Sequence, residues 1–213
     1  MIANMNELLD LHRRTMAYAA SIVHMVEPDQ LGLPTPCTEW DLGQLLAHMT
    51  AQNRGFAAAA RGADFDPAVW DETPLSERFA ETFAASAEEV VAAFADEEAA
   101  ESDWFIDIGA DEPLAIPGRI AIGFHFVDYV VHAWDAAVAI GHEPEFDAIV
   151  LTEALTIAEE VPQDGPTRLG LHAPFAPALE LEGGDGLLDQ VLALLGRDPE
   201  WSPDQAGGDA PSR

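Results

Sequence analysis

Residues 117–141 read PGRIAIGFHFVDYVVHAWDAAVAIG and predict one long helix that is apolar on almost every side. Pro117 opens it where a missing N–H does no harm, and Gly141 closes it. Ile120, Phe124, Phe126, Val127, Val130, Val131, Trp134 and Val138 make it the most apolar helix in the chain. The exceptions lie together. At about 100° per residue, His125, Asp128, His132 and Asp135 fall within a sector of roughly 80°. A narrow stripe of histidine and aspartate therefore runs along a greasy rod.

The same periodicity places further helices around this one. Leu8, Leu9, Met16, Ile22, Val23 and Val26 recur by threes, fours and sevens over 6–26, and Pro28 ends the run. A loop with Gly32, Pro34 and Pro36 precedes a second helix, expected from an N-cap at Thr38, with Glu39 and Asp41 in its first turn, to about Arg61. A third is expected over 75–96, the rod over 119–140 and a fifth over 146–160. Residues 103–113 read as irregular, with a brief strand or packed loop at 104–108. Beyond Pro162 the chain turns to Gly, Pro and turn residues, with short strands expected at 167–172 and 178–181 and a last helix at 186–195. The fold class is mainly all-α: a four-helix bundle over 1–162, a small mixed C-terminal extension over 163–200 and a flexible tail over 201–213.

Composition narrows the function. The 213 residues carry 39 acidic and 9 basic side chains, a formal charge of −30, yet 48% are hydrophobic. Such a chain folds, and its field repels phosphate backbones and anionic lipid. Nucleic-acid and membrane partners are not expected. No apolar run approaches the roughly 20 residues that span a bilayer, the N-terminus lacks a signal-peptide core, and the expected location is the cytoplasm. All nine basic residues are arginines, which excludes a phosphate-cradling or Schiff-base lysine. Cys37 is the single cysteine, so cysteine metal clusters are excluded too.

Chemistry must then come from the stripe or from something bound. Two readings stand side by side. In one, the stripe is the wetted face of the helix. In the other it faces the bundle interior, where buried imidazoles and carboxylates need partners or a metal. Asp128 and His132 are four residues apart and can converge on one ion. A third ligand must come from a neighbouring helix, and His48, at the edge of the Leu42/Leu45/Met49 stripe, is the candidate. Two imidazoles and a carboxylate suit Zn²⁺ first, then Ni²⁺ or Fe²⁺, with a coordination position left open. His125 is a candidate fourth ligand or outer support, and Asp135 can orient an imidazole N–H. At ordinary histidine pKa values, metal affinity is expected to fall as pH drops through about 6.5. His12, beside Arg13, reads as solvated, and His24, His142 and His172 read as surface or turn residues.

Two stretches resemble a known family. Thr35-Pro36-Cys37-Thr38-Glu39-Trp40-Asp41 with Leu45-Leu46-Ala47-His48-Met49 is similar to the first signature of actinobacterial DinB-like proteins. These are related to the N-terminal domain of mycothiol-dependent maleylpyruvate isomerase. Asp128-Tyr129-Val130-Val131-His132-Ala133-Trp134-Asp135 resembles the second signature, and Leu194-Leu195-Gly196-Arg197-Asp198-Pro199 the closing one of a metal-binding subgroup. The resemblance implies a DinB-like bundle and metal ligands at His48, Asp128 and His132. Two departures stand out. Asp128 replaces a glutamate, which calls for a closer backbone, a water or help from His125. The segment after Pro162 is short and does not match the isomerase's second domain.

Two function classes follow. One is a metal-dependent transferase or isomerase using a low-molecular-weight thiol such as mycothiol on an electrophilic substrate. The other is a non-catalytic metal or small-ligand binding bundle, a sensor or stress protein. A homodimer is compatible with either.

Overall fold

The computed structural model describes residues 4–38, 40–106, 114–165, 168, 175–181 and 186–203. Its elements are α1 (Met5–Met25), α2 (Leu42–Ala60), α3 (Phe79–Phe94), β1 (Asp103–Ile106), β2 (Leu114–Pro117), α4 (Gly118–Ala139), α5 (Ala148–Glu160) and α6 (Leu187–Leu194), with 3-10 turns at Pro28–Gln30 and Pro67–Val69. Helices α1 to α4 form the expected bundle. Each of α1 and α2 touches both α3 and α4, so the ring runs α1–α3–α2–α4. Helix α5 lies against α4 and packs with α6.

Caps set the helix starts. Asn4 and Glu7 exchange side-chain-to-backbone bonds at the head of α1. Asp41 and Gln44 do the same at the head of α2, at 2.8 and 3.0 Å. This corrects the expected cap at Thr38: 38 lies in a turn, and the reciprocal Asp41/Gln44 pair satisfies the first amides instead. Helix α3 begins four residues later than expected because Phe79 N–H closes a turn onto the Ser76 carbonyl.

The interior is aliphatic and aromatic, with Leu45, Met49, Phe83, Phe94, Phe126 and Val130 all essentially sealed from solvent. Each such side chain contributes about 1.5–3 kcal/mol on burial. Helix α4 is wrapped almost completely, as its composition requires.

Strand β1 pairs antiparallel with β2, Asp103 opposite Pro117 and Ile106 opposite Leu114. The pairing leads straight into α4 and brings Gly118 against the Ala99 carbonyl and the Trp104 indole, where a Cβ would collide. Sequence reading left β2 out: it is four residues long and its side chains are largely outward, so it shows no alternation. Residues 178–181 form no strand; Leu179 N–H instead bonds the Ala193 carbonyl at 2.9 Å. Of the strand expected at 167–172, all but Arg168 lies outside the described residues, as do His172 and most of the tail. No described helix is long and apolar enough to cross a membrane.

Candidate metal centre

The stripe on α4 faces inward. His125, His132 and Asp135 are buried, and Asp128 is the member that keeps partial access to solvent. The wetted-face reading is therefore set aside. Facing the stripe is α2, and a buried hydrogen bond fixes the register of the two helices: Tyr129 O–H donates to the Met49 carbonyl. Each partner is the sequence neighbour of a candidate ligand, Asp128 on one side and His48 on the other.

One donor atom from each of His48, Asp128 and His132 lies within 4.8 Å of the others. His132 Nε2 and Asp128 Oδ1 are 3.3 Å apart. Two donors at about 2.1 Å from a tetrahedral ion stand ~3.4 Å apart, so this pair already has ligand spacing. No pair needs to close by more than roughly 1.4 Å, within the reach of a side-chain rotation about χ angles. The donor set, two imidazole nitrogens and one carboxylate oxygen, fits a borderline divalent ion.

Both imidazoles are held from behind. His132 Nδ1 sits 3.0 Å from Asp135 Oδ2, and Asp135, fully buried, accepts from Arg197 Nε at 3.1 Å. His48 Nδ1 sits 3.1 Å from Glu72 Oε1. His132 Nε2 then faces Asp128, and the Glu72 contact at Nδ1 leaves His48 its other ring nitrogen as a ligand. The Trp40 indole covers His48, with ring centroids 4.2 Å apart, and stands 6.0 Å from His132.

Electrostatics put a proton where an ion would sit. Burial works against charge on His132, but the Asp128 carboxylate, hydrogen bonds to Asp128 and Asp135, and the Asp135 charge outweigh it and raise its pKa to about 9. Burial likewise opposes ionisation of Asp128, yet His132, then His48 and His125, bring it down to about 2. Without an ion, His132 is an imidazolium clamped between two carboxylates. The proton thus competes with metal well above pH 6.5, which corrects the expectation drawn from unperturbed values. Burial also opposes charge on Arg197, but Asp135 and then Cys37 raise its pKa.

His125 does not join this group. It lies two turns, about 10 Å, from His132 along the helix. Its Nδ1 meets His12 Nε2 at 3.0 Å, its ring stacks on Tyr129 at 4.3 Å, and its Nε2 has no partner among the described residues. His12, expected at the surface, is its buried partner at 1% exposure, because α1 turns this face onto α3 and α4 rather than toward Arg13. Cys37 is partly buried in the loop before α2, its carbonyl accepting from Thr35 Oγ1 and Trp40 N–H.

Sequence reading missed Glu72, Trp40 as a wall, and Arg197 as the partner of Asp135. Arg197 had a signal, the closing signature that contains it. Glu72, in an open connection, had none.

Residues 12–137 match the profile of the mycothiol maleylpyruvate isomerase N-terminal domain. The chain belongs to that family. Two Mycobacterium tuberculosis proteins, MT0763 (strain CDC 1551 / Oshkosh) and Rv0738 (strain ATCC 25618 / H37Rv), are each 31% identical to this chain over 186 residues, covering 87% of it and 95% of the relative. Both are described as uncharacterized. Among solved structures, the mycothiol-dependent maleylpyruvate isomerase matches with a TM-score of 0.63 at 15% identity, over 93% of this chain and 91% of its own. A point mutant of that enzyme matches at 0.62 and 15%, over 92% and 90%. That coverage extends past α5, so the fold likeness includes part of the segment after Pro162, which sequence reading had set apart.

Proposed function

We propose that this family member holds a divalent ion, zinc first, at His48, Asp128 and His132, and uses it with a low-molecular-weight thiol such as mycothiol in a transferase or isomerase reaction. The observation that carries the reading is the convergence of two imidazoles and a carboxylate from two helices, each imidazole backed by a second carboxylate. The family supports the thiol.

When bound, the ion supplies a Lewis acid that favours the thiolate form of a thiol near neutral pH. The chain's own residues do the rest. Asp135, pinned by Arg197, keeps the His132 Nδ1–H pointing away from the centre and Nε2 toward it. His132 gives up its second proton as the site loads, and Asp128, ionised at any physiological pH, supplies the compensating charge. Trp40 screens one face of His48 from water. With no lysine in the chain and Cys37 packed in a loop, an exogenous thiol is the nucleophile at hand. In a transfer, a sulfur–carbon bond forms as the bond from carbon to its leaving group breaks, and the thiol proton passes to solvent or to the leaving group. A cytoplasmic location goes with this reading, because that is where such thiols are kept reduced.

The test is consumption of mycothiol by zinc-loaded protein with a panel of halide-bearing and unsaturated electrophiles, followed by thiol titration. Zinc-dependent loss of thiol that disappears in His48→Ala supports the reading. Stoichiometric zinc with no loss above the protein-free rate overturns the enzyme and leaves a binding bundle.

A further inference from the structure

The two histidines of the centre are supported unequally. Behind His132 stands a buried aspartate locked by a buried arginine. Behind His48 stands Glu72, an exposed residue in the connection between α2 and α3. That connection is fastened upstream at Trp70, whose ring lies 5.3 Å from Phe56 and fills the space that a Cβ on Gly55 would need. Among the described residues, no backbone–backbone hydrogen bond outside the helices and strands involves 71–75. The Glu72–His48 contact is therefore the polar tie, in this stretch, between the connection and the bundle.

We infer that Glu72 is a positioning residue for His48, and that residues 71–75 form a strap, already in contact with the centre through Glu72, that is held there more tightly when an ion binds. The inference rests on the metal reading proposed above. A histidine that coordinates through Nε2 carries its ring proton on Nδ1 and needs an acceptor there. Glu72 Oε1, 3.1 Å away, is that acceptor. Without an ion the Nε2–H tautomer competes with the Nδ1–H form that Glu72 holds, so coordination through Nε2 selects the form that the tie requires. Ion binding and strap closure thus favour each other, and by linkage the factor by which the closed strap strengthens the ion equals the factor by which the ion favours closure.

The experiment uses the full chain as wild type, Glu72→Gln and Glu72→Ala, with folding verified by circular dichroism. Zinc affinity is measured by competition with a chromophoric chelator, and hydrogen exchange of peptides spanning 66–78 is followed at short labelling times with and without zinc. Loss of an outer carboxylate partner typically weakens a metal about 10–100-fold. Glu72→Ala is expected to bind zinc at least about tenfold more weakly, and Glu72→Gln, which keeps a neutral acceptor, to fall between it and wild type. Zinc should slow exchange across 71–75 in wild type and not in Glu72→Ala. Equal zinc affinity in wild type and Glu72→Ala, or exchange in wild type that ignores zinc, overturns the strap while leaving the metal site standing. Failure of the wild type to bind zinc overturns both.

Discussion

Taking the metal-free protein from pH 6.5 to pH 5 protonates unfolded histidines that the folded core holds neutral. His12 and His125 share a hydrogen bond of 3.0 Å inside a cage of rings, with Phe94 4.8 Å from His12 and Phe56 4.8 Å from His125. Burial pushes the His125 pKa down to about 3, against a smaller upward pull from Asp128. Burial, and then the charge of His125, push His12 well below its ordinary value. A histidine whose folded pKa lies below its unfolded value of about 6.5 contributes stability that is complete above 6.5 and is lost as pH falls toward the folded value. The loss runs at about 1.4 kcal/mol per pH unit per group, so His125 alone removes about 2 kcal/mol between pH 6.5 and pH 5. His12 adds to it in the same window. Against a total of 5–15 kcal/mol typical of domains, that is a large fraction. Other shifted groups act elsewhere: Asp128, lowered to about 2, matters below about pH 4. His132, raised to about 9, contributes in full below pH 6.5 and loses its contribution as pH rises toward 9. Urea unfolding of chelator-treated protein at pH 6.5 and pH 5 reads the effect, with the double variant His12→Leu/His125→Leu as reference. Wild type should lose at least about 2 kcal/mol more than the variant. The same pH dependence in both proteins would refute the reasoning.

Replacing Arg197 by Leu removes one of the two cationic partners of buried Asp135, His132 remaining, and should cost about 1.5–3 kcal/mol in urea unfolding at pH 7. Gly55→Ala should lower the melting temperature and raise Trp70 exposure to a fluorescence quencher, because the added methyl meets the indole. Zinc affinity should strengthen from pH 7 toward pH 9 as His132 gives up its proton, measured by chelator competition in buffers that do not bind zinc. Zinc should also raise the melting temperature, since it ties α2 to α4 in the folded state and has no preformed site in the unfolded chain.

The bundle was legible because its signals are local and periodic. Residues 117–141 are bounded by proline and glycine and apolar on nearly every side, and such a sequence has few places to go except between other helices. The four-residue spacing of Asp128 and His132 was equally plain. What periodicity could not show was which long-range partner each polar group meets. His12 and His125 are 113 residues apart in sequence, and Arg197 meets Asp135 across 62. Arg13 suggests a solvated face for its neighbour His12, but neighbours on a helix point about 100° apart, and the structure buries His12. Glu72 lies in an irregular stretch where no period operates, and its partner is set by how Trp70 anchors the connection. Thr38 and Asp41 are both good capping types in the sequence, and the Gln44 bond that decides for Asp41 is a matter of register.

The central claim is that His48, Asp128 and His132 hold one ion between them. It is tested most directly by metal content of well-folded wild type, His132→Ala and His142→Ala after equilibration with zinc at pH 8 and removal of excess, read by plasma mass spectrometry. One zinc per chain is expected in wild type and in His142→Ala, whose histidine lies outside the helices, and none retained in His132→Ala. Equal zinc in all three proteins would contradict it.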